Sequence, residues 1–516
     1  MKQPQKDDFV PIVAAKHPDG HRTTGPLLAD VPVPGTTDAL QEQKINKWML
    51  FVTVAIGVFM ATLDSSIVNI GLPAIAGSFH VPLNGAVEWV IIAYLVANAA
   101  ILLTAGRLAD MVGRKAVWIT GLALFTVSSA LCGAAFSLGF LIAMRTLQGL
   151  GGALMMAVSP AMLVSAFPPQ ERGRALGLNA ITVALGISIG PTIGGLITAY
   201  FSWRWIFYVN VPVGIIGIIV SLRVLKERLQ RNPGRFDPLG AFLLAIGLAG
   251  ITAGLSFGQE LGWTSPFLLG VMSVGILALI LLPLVEMRVS NPVIVFSLLR
   301  NRVFTSATLS LLLSFMALGA VSFLLPFYLE QLRNFPTEEA GLLLTPLPIV
   351  LAIVAPFSGA LADRIGSRWL AASGLTIACI GLVLISQLNA QSSVFDIVWR
   401  LVFTGVGQAI FQSPNNSALL GAAPRELQGS ASGFLATART MGISLSVALV
   451  GAVFTSLGGA EAGSELALRA GGAQTNVLQQ IFTHSFQAAF LVCAAIAAIG
   501  IFASLVRGKE SRRKKS

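Results

Sequence analysis

Apolar residues gather in long runs at about 48–72, 87–106, 116–136, 138–166, 174–200 and 204–224, then 238–257 and 266–287. Six more follow at about 303–329, 340–361, 369–388, 394–421, 429–456 and 484–506. Each run is about 20 residues or longer, and a helix of that length crosses ~30 Å of hydrocarbon. Membrane β-strands are about half as long and alternate in polarity, which these runs do not. The pattern predicts an all-α membrane protein with about fourteen spanning helices.

Composition agrees. The chain is 55% hydrophobic and 11% charged, where a soluble domain carries roughly 25% charged residues. One large soluble core does not account for this, because cores stop growing near ~250–300 residues; lipid as solvent does. Cys132, Cys379 and Cys493 each lie within an apolar run without metal-ligand spacing, which reads as packing. Residues 1–46 are polar and lack a short apolar segment of the signal-peptide kind, so they read as a tail, with the first span as an uncleaved signal-anchor.

Loop charges orient the spans. With the N-terminus inside, Arg107, Arg114, Lys115, Arg172, Arg174, Arg364, Arg368, Arg425 and the Arg507–Lys515 cluster all fall on the cytoplasmic side. The outer loops keep Arg204, Arg333 and Arg469. A miscounted span would invert every later loop, so the asymmetry supports both the number of spans and a multi-pass inner-membrane topology with cytoplasmic termini. It also accounts for the net charge of +11. The cations are spread over short loops, which argues against a nucleic-acid partner; the expected partners are the bilayer, a small-molecule substrate and protons. An accessory envelope protein is left unassigned.

A repeat divides the chain. Gly106-Arg-Leu-Ala-Asp110-Met-Val-Gly113-Arg114-Lys115 returns as Gly359-Ala-Leu-Ala-Asp363-Arg-Ile-Gly366-Ser-Arg368. Arg145, Pro160, Glu171 and Gly177 return as Arg400, Pro414, Glu426 and Gly433, all about 254 residues on. Six spans fill about 180 residues, so the surplus fits an inserted helix pair, which preserves the orientation of the second copy. The expected layout is a cytoplasmic polar tail (1–46) and an N-terminal six-helix bundle (47–226). Two linker helices with flanking loops (227–301), a C-terminal six-helix bundle (302–506) and a basic cytoplasmic tail (507–516) complete it.

The Gly106–Lys115 segment resembles the loop signature of the major facilitator superfamily. Asp110 can accept hydrogen bonds from a neighbouring helix N-terminus and from Arg107 or Arg114. The resemblance implies that this aspartate latches two bundles together on the cytoplasmic side, with Gly106, Gly113 and Lys115 in the same loop. The second copy, around Asp363, has Ala360 and Ser367 at basic positions and implies a weaker latch.

Leu63-Asp64-Ser-Ser-Ile-Val-Asn69-Ile-Gly-Leu-Pro73 resembles the first-helix signature of the fourteen-span drug:proton antiporters. A carboxylate within a span costs ~2.5–3.5 kcal/mol on insertion scales and therefore faces the bundle interior or water. Burial favours its neutral form and a nearby cation its charged form, so Asp64 is the leading proton-coupling candidate. The competing reading places it at the outer interface.

Arg145 matches the fourth-helix signature of proton-driven members, with Gln148 on the same face. It requires an anionic or carbonyl partner, or else snorkels to a headgroup; one sequence does not show which. Glu88 is a secondary proton or cation candidate. The fifth span carries Gly186, Gly190, Pro191, Gly194 and Gly195, similar to the family's antiporter motif, and Trp203-Arg-Trp-Ile-Phe-Tyr-Val-Asn210-Val-Pro212 follows.

Candidates for a substrate cavity are Asn69, Trp89, Tyr94, Gln148 and Phe323, with Gln408, Gln412 and Asn415 on one face of the twelfth span and Arg439 in the thirteenth. Interhelical packing is the competing role for each. The chain has no Gly-x4-Gly-Lys-Ser/Thr loop, and His17, His21, His80 and His484 are scattered, so neither ATP use, a metal nor a catalytic constellation is indicated. The resemblance implies a non-enzymatic, proton-coupled exporter of small amphipathic or lipophilic compounds, with the proton in place of a cofactor. An exporter of an endogenous metabolite, peptide or lipid is the alternative; a receptor or channel is the reading from a different class.

Overall fold

The computed structural model describes residues 46–80, 87, 89–225, 237–257, 262, 264–289, 292–468 and 475–507. Among these, thirteen helices are long and apolar enough to cross a membrane, and Arg172–Tyr200 is a further helix of 29 residues. In chain order the first six are α1 (Lys47–Phe79), α2 (Trp89–Val112), α3 (Arg114–Gly133), α4 (Leu138–Ala166), α5 (Arg172–Tyr200) and α6 (Trp205–Val224). The inserted pair is α7 (Pro238–Phe257) and α8 (Pro266–Glu286). The last six are α9 (Arg302–Phe327), α10 (Pro346–Ile365), α11 (Ser367–Ser386), α12 (Val394–Gly421), α13 (Gln428–Ser456) and α14 (Thr475–Leu505).

Local chemistry sets the helix ends. Ser137 accepts from the Phe140 amide to cap α4, and Ser393 with Asp396 forms a capping box at α12. Gly113 and Gly366, equivalent positions of the two repeats, turn the α2–α3 and α10–α11 corners at φ 111° and 95°, backbone that side chains other than hydrogen disfavour. Two helices outrun their apolar segments. α1 continues to Phe79 and ends on a left-handed His80, and α14 begins at Thr475 on a polar turn containing Gln479 and Gln480. The tenth apolar run is divided at Thr345, where Pro346 starts a new helix.

The helices pack as two six-membered bundles, α1–α6 and α9–α14. The inserted pair lies against the seam between them: Leu244, Leu248 and Leu282 join Ala99 and Leu103 of α2 and Met441 of α13 in one apolar cluster. The seam is built by two reciprocal crossings. Gly106 of α2 meets Gly429 of α13 backbone to backbone, with Gly433 against Leu102 and Leu103. Gly359 of α10 meets Gly173, with Gly177 of α5 against Ala355 and Pro356. These repeat-related glycines are therefore the contact points of one bundle with the other.

Within the first bundle α3 and α4 approach equally closely. A Cβ on Gly151 would lie 2.6 Å from the Phe125 nitrogen and 2.8 Å from the Gly121 carbonyl, whereas one on Gly139 would meet nothing within 4 Å. Gly151→Ala is therefore expected to destabilise the protein by about 1–3 kcal/mol and lower its melting midpoint in detergent. Gly139→Ala should leave the midpoint unchanged or raise it. Equal midpoints for the two variants would contradict this packing.

Candidate functional site

Asp64 lies in the middle of α1 and is fully buried, as is Arg145 of α4. Arg145 Nη1 donates to Asp64 Oδ2 at 2.6 Å and to Gln148 Oε1 at 2.8 Å, while its Nε donates to the Val90 carbonyl at 2.9 Å. Asp64 Oδ1 accepts from Gln148 Nε2 and Asn210 Nδ2, each at 2.9 Å. Asn210 also donates to Ser129 Oγ at 3.1 Å, and Ser129 donates to the Phe207 carbonyl at 2.9 Å. The guanidinium lies 4.4 Å from the Tyr94 ring centroid. Five helices, α1, α2, α3, α4 and α6, thus converge on one carboxylate.

A buried ion pair is worth its desolvation cost only with good geometry and satisfied remaining groups; both carboxylate oxygens here are occupied. The arrangement is chemically conditional. Protonation of Asp64 would remove the anion facing Arg145 and leave the cation with the Val90 and Gln148 oxygens and the Tyr94 ring.

Gln148 and Tyr94, expected at a substrate cavity, instead belong to this enclosed cluster. Asn210 and Ser129 were not anticipated as site residues. Asn210 was visible only as the amide closing the aromatic run before Pro212, and Ser129 carried no distinguishing signal.

The glycine motif of α5 faces the same helix. Gly186, Gly190 and Gly194 press against Thr62, Ser66 and Ile67 of α1, and Ser66 Oγ donates to the Gly186 carbonyl at 3.1 Å. Gly195 faces open space. The side chain of Pro191 lies outside the described residues, as do those of Asn69 and Asp363, and Glu88 altogether.

At the basic end, buried Asp110 caps α13 from the opposite bundle. Its carboxylate accepts from the Gly429 and Ser430 amides, both at 2.7 Å, and from Ser430 Oγ at 2.8 Å. Those amides belong to the first turn of α13, which has no side-chain cap of its own, so Asp110 satisfies donors that a helix start leaves free. The expected bond from Arg107 or Arg114 to Asp110 does not occur among the described residues. Arg114 reaches past it to the Arg425 carbonyl at 2.9 Å and the Ala161 carbonyl at 3.2 Å, which ties the same two bundles. Arg107 is buried, and Lys115 turns to the Leu222 carbonyl at 3.4 Å within its own bundle. At the other crossing Ser413 Oγ of α12 donates to the Gly173 carbonyl at 2.8 Å; the side chain of Asp363, the repeat partner of Asp110, lies outside the described residues.

Among the described residues the second bundle shows no ion pair like that of Asp64 and Arg145. Arg400, the repeat partner of Arg145, donates to the Leu384 carbonyl at 3.0 Å. Asn415, expected to line a cavity, is fully buried; its Nδ2 donates to the Ala307 carbonyl at 3.0 Å and its Oδ1 accepts from Arg507. Arg507 is itself buried and donates to Ser367 Oγ at 3.2 Å. It anchors the end of α14 and is not a solvated tail residue.

Gln408 is half-buried and Gln412 buried. Phe323 is half-buried, 5.6 Å from Phe327, and Trp89 is exposed. Arg439 is half-buried, with its guanidinium 5.3 Å from the Phe315 centroid. No group of three or more metal-ligating side chains occurs among the described residues.

The sequence pattern described as Major Facilitator Superfamily matches residues 54–447. The riboflavin transporter RibZ of Clostridioides difficile is 36% identical over 79% of this chain and 88% of its own length. The multidrug transporter protein MdtP of Bacillus subtilis is 31% identical over 81% of this chain and 77% of its own. Among solved structures, the proton:xylose symporter XylE superposes with a TM-score of 0.61 at 14% identity, covering 88% of this chain and 94% of that one.

Two outcomes follow from the geometry. Arg145→Gln strands a buried carboxylate and should cost about 3–5 kcal/mol of stability, most of it recovered in the Asp64→Asn/Arg145→Gln double variant; thermal unfolding in detergent measures both, and additive losses would refute the pairing. Asp110→Ala should lengthen and broaden the distance between spin labels on α2 and α13 near the basic end. An unchanged distribution would refute the cap as a clamp.

Proposed function

Because the chain belongs to the major facilitator superfamily, we propose that it is a proton-coupled exporter of small amphipathic compounds, with Asp64 as the proton carrier. The observation that carries this reading is the enclosed Asp64–Arg145 pair with its amide donors. In the reading, a proton arriving at Asp64 neutralises the carboxylate, loosens Arg145, and lets α1 and α4 shift relative to the α5 glycine face. The bundles then rock about a central site, and the proton leaves on the other side as substrate is exchanged. The Asp110 clamp closes its end of the seam while the site faces the other side, and it opens when the bundles rock. The positive-inside rule assigns that end, and both termini, to the cytoplasmic side of the inner membrane.

Similarity to a multidrug transporter supports drug-like cargo. Similarity to a riboflavin transporter favours a second reading, an exported metabolite handled by the same mechanism.

Purified protein in liposomes with an imposed pH gradient tests the coupling. Wild-type protein should drive dye or drug antiport, and Asp64→Asn, inserted and folded, should fall to the rate of protein-free vesicles while retaining substrate binding. Gradient-driven transport by that variant at the wild-type rate would sink the assignment.

A further inference from the structure

The buried carboxylates of the described residues are Asp64, Asp110, Asp237 and Glu286. Each already holds donors elsewhere: Asp64 takes Arg145, Gln148 and Asn210, Asp110 takes the start of α13, Asp237 the Gly240 amide and Glu286 the Ile294 amide. The ion pairs among these residues are Lys47–Glu171 and Arg145–Asp64. Arg439, well inside α13, therefore has neither an acid partner nor a hydrogen bond among the described residues. Its protein neighbour is the Phe315 ring of α9. A cation at membrane depth without a counter-charge marks a ligand or ion path by default.

Its place on α13 indicates what it faces. Leu435 shares an apolar cluster that includes Val164 of α4 and Leu176 of α5, and Ala436 one that includes Leu102, Ala105, Ala153 and Ala157 of α2 and α4. Arg439 follows these two at i+4 and i+3, on the same helical face. One turn further, Ile443 is 41% exposed. Arg439 thus follows the seam-facing clusters along α13, half-buried, with an aromatic ring beside a planar cation. A guanidinium stacked on a ring keeps its fork of N–H donors free for a planar oxyanion.

The geometry points to Arg439 as the docking point for the acidic group of the cargo: the transported class is the amphipathic organic anion, its carboxylate or comparable oxyanion paired with Arg439 and its apolar body against the Phe315 side. Lipophilic cations are disfavoured by the same charge. This rests on the export reading above for what the bound compound does, but the recognition step needs no proton gradient.

Binding separates the two. Fluorescein, an anion, and rhodamine 123, a cation on the same xanthene skeleton, are titrated by fluorescence anisotropy against wild-type protein in phosphatidylcholine nanodiscs, with empty discs subtracted. Wild type should bind fluorescein at least about tenfold more tightly than rhodamine 123, and Arg439→Gln should weaken fluorescein about ten- to hundredfold without weakening rhodamine 123. Arg439→Lys should retain part of the preference. Tighter binding of rhodamine 123, no fluorescein binding by wild type, or unchanged fluorescein affinity in Arg439→Gln overturns the proposal. If Arg439→Gln does not fold, the wild-type preference between the dyes decides alone. Failure of Asp64-dependent antiport in liposomes would count against the coupling reading and leave this result standing.

Discussion

A carboxylate and a guanidinium sealed inside one bundle constrain everything around them. In lipid neither charge can be left alone, so Asp64 and Arg145 must stay together or be neutralised. The structure meets that demand with amides from Gln148 and Asn210, a carbonyl from Val90 and an aromatic wall from Tyr94. The cluster draws on five helices. A change in the charge of one residue is therefore felt by most of the N-terminal bundle, as a coupling site between a proton and a conformation requires. The α5 glycines add the mechanical half. They bring α5 against the turns of α1 on either side of Asp64, with Ser66 bonded to the Gly186 carbonyl.

The two bundles share a repeat and a seam, and among the described residues they differ in the partners of the repeat-related Arg145 and Arg400. Reciprocal glycine crossings make the seam nearly symmetric, with Gly106 on Gly429 and Gly359 on Gly173. Among the described residues the bonds across it include the Asp110 carboxylate capping the start of α13 and the Ser413 hydroxyl reaching the Gly173 carbonyl. The inner charges are unequal. Arg145 has an acid, Arg400 has a carbonyl, and Arg439 has a ring. Among the described residues the ion pair thus lies in the first bundle, and Arg439 of the second has an aromatic neighbour in place of an acid.

Sequence reading went furthest where lipid leaves few choices. Span count, the inserted helix pair and the repeat were legible because apolar length, loop charge and register are one-dimensional quantities. Asp64, Arg145 and Asp110 stood out because charges within or beside spans are costly and therefore rare. Partnerships were not legible. That Asp110 would choose the backbone of α13 over Arg107 or Arg114, or that Asn415 would hold Arg507, depends on which turns meet across more than 90 residues of chain. Asn210 and Ser129 were invisible as site residues for the same reason, since an amide and a hydroxyl in a span usually mean helix packing. Gln148 and Tyr94, named as cavity candidates, lie against Asp64 and Arg145, a proximity that helix spacing alone does not reveal.

The central claim is that Asp64 changes its protonation when the protein changes conformation. Difference infrared spectroscopy of the reconstituted protein, switched by adding a transported compound, reads this directly in the carboxyl stretch, with Asp64→Asn identifying the band. The account predicts a protonated-carboxyl band that appears or disappears on switching in wild type and is missing from the variant. A carboxylate at Asp64 that stays ionised through the full conformational change would contradict it.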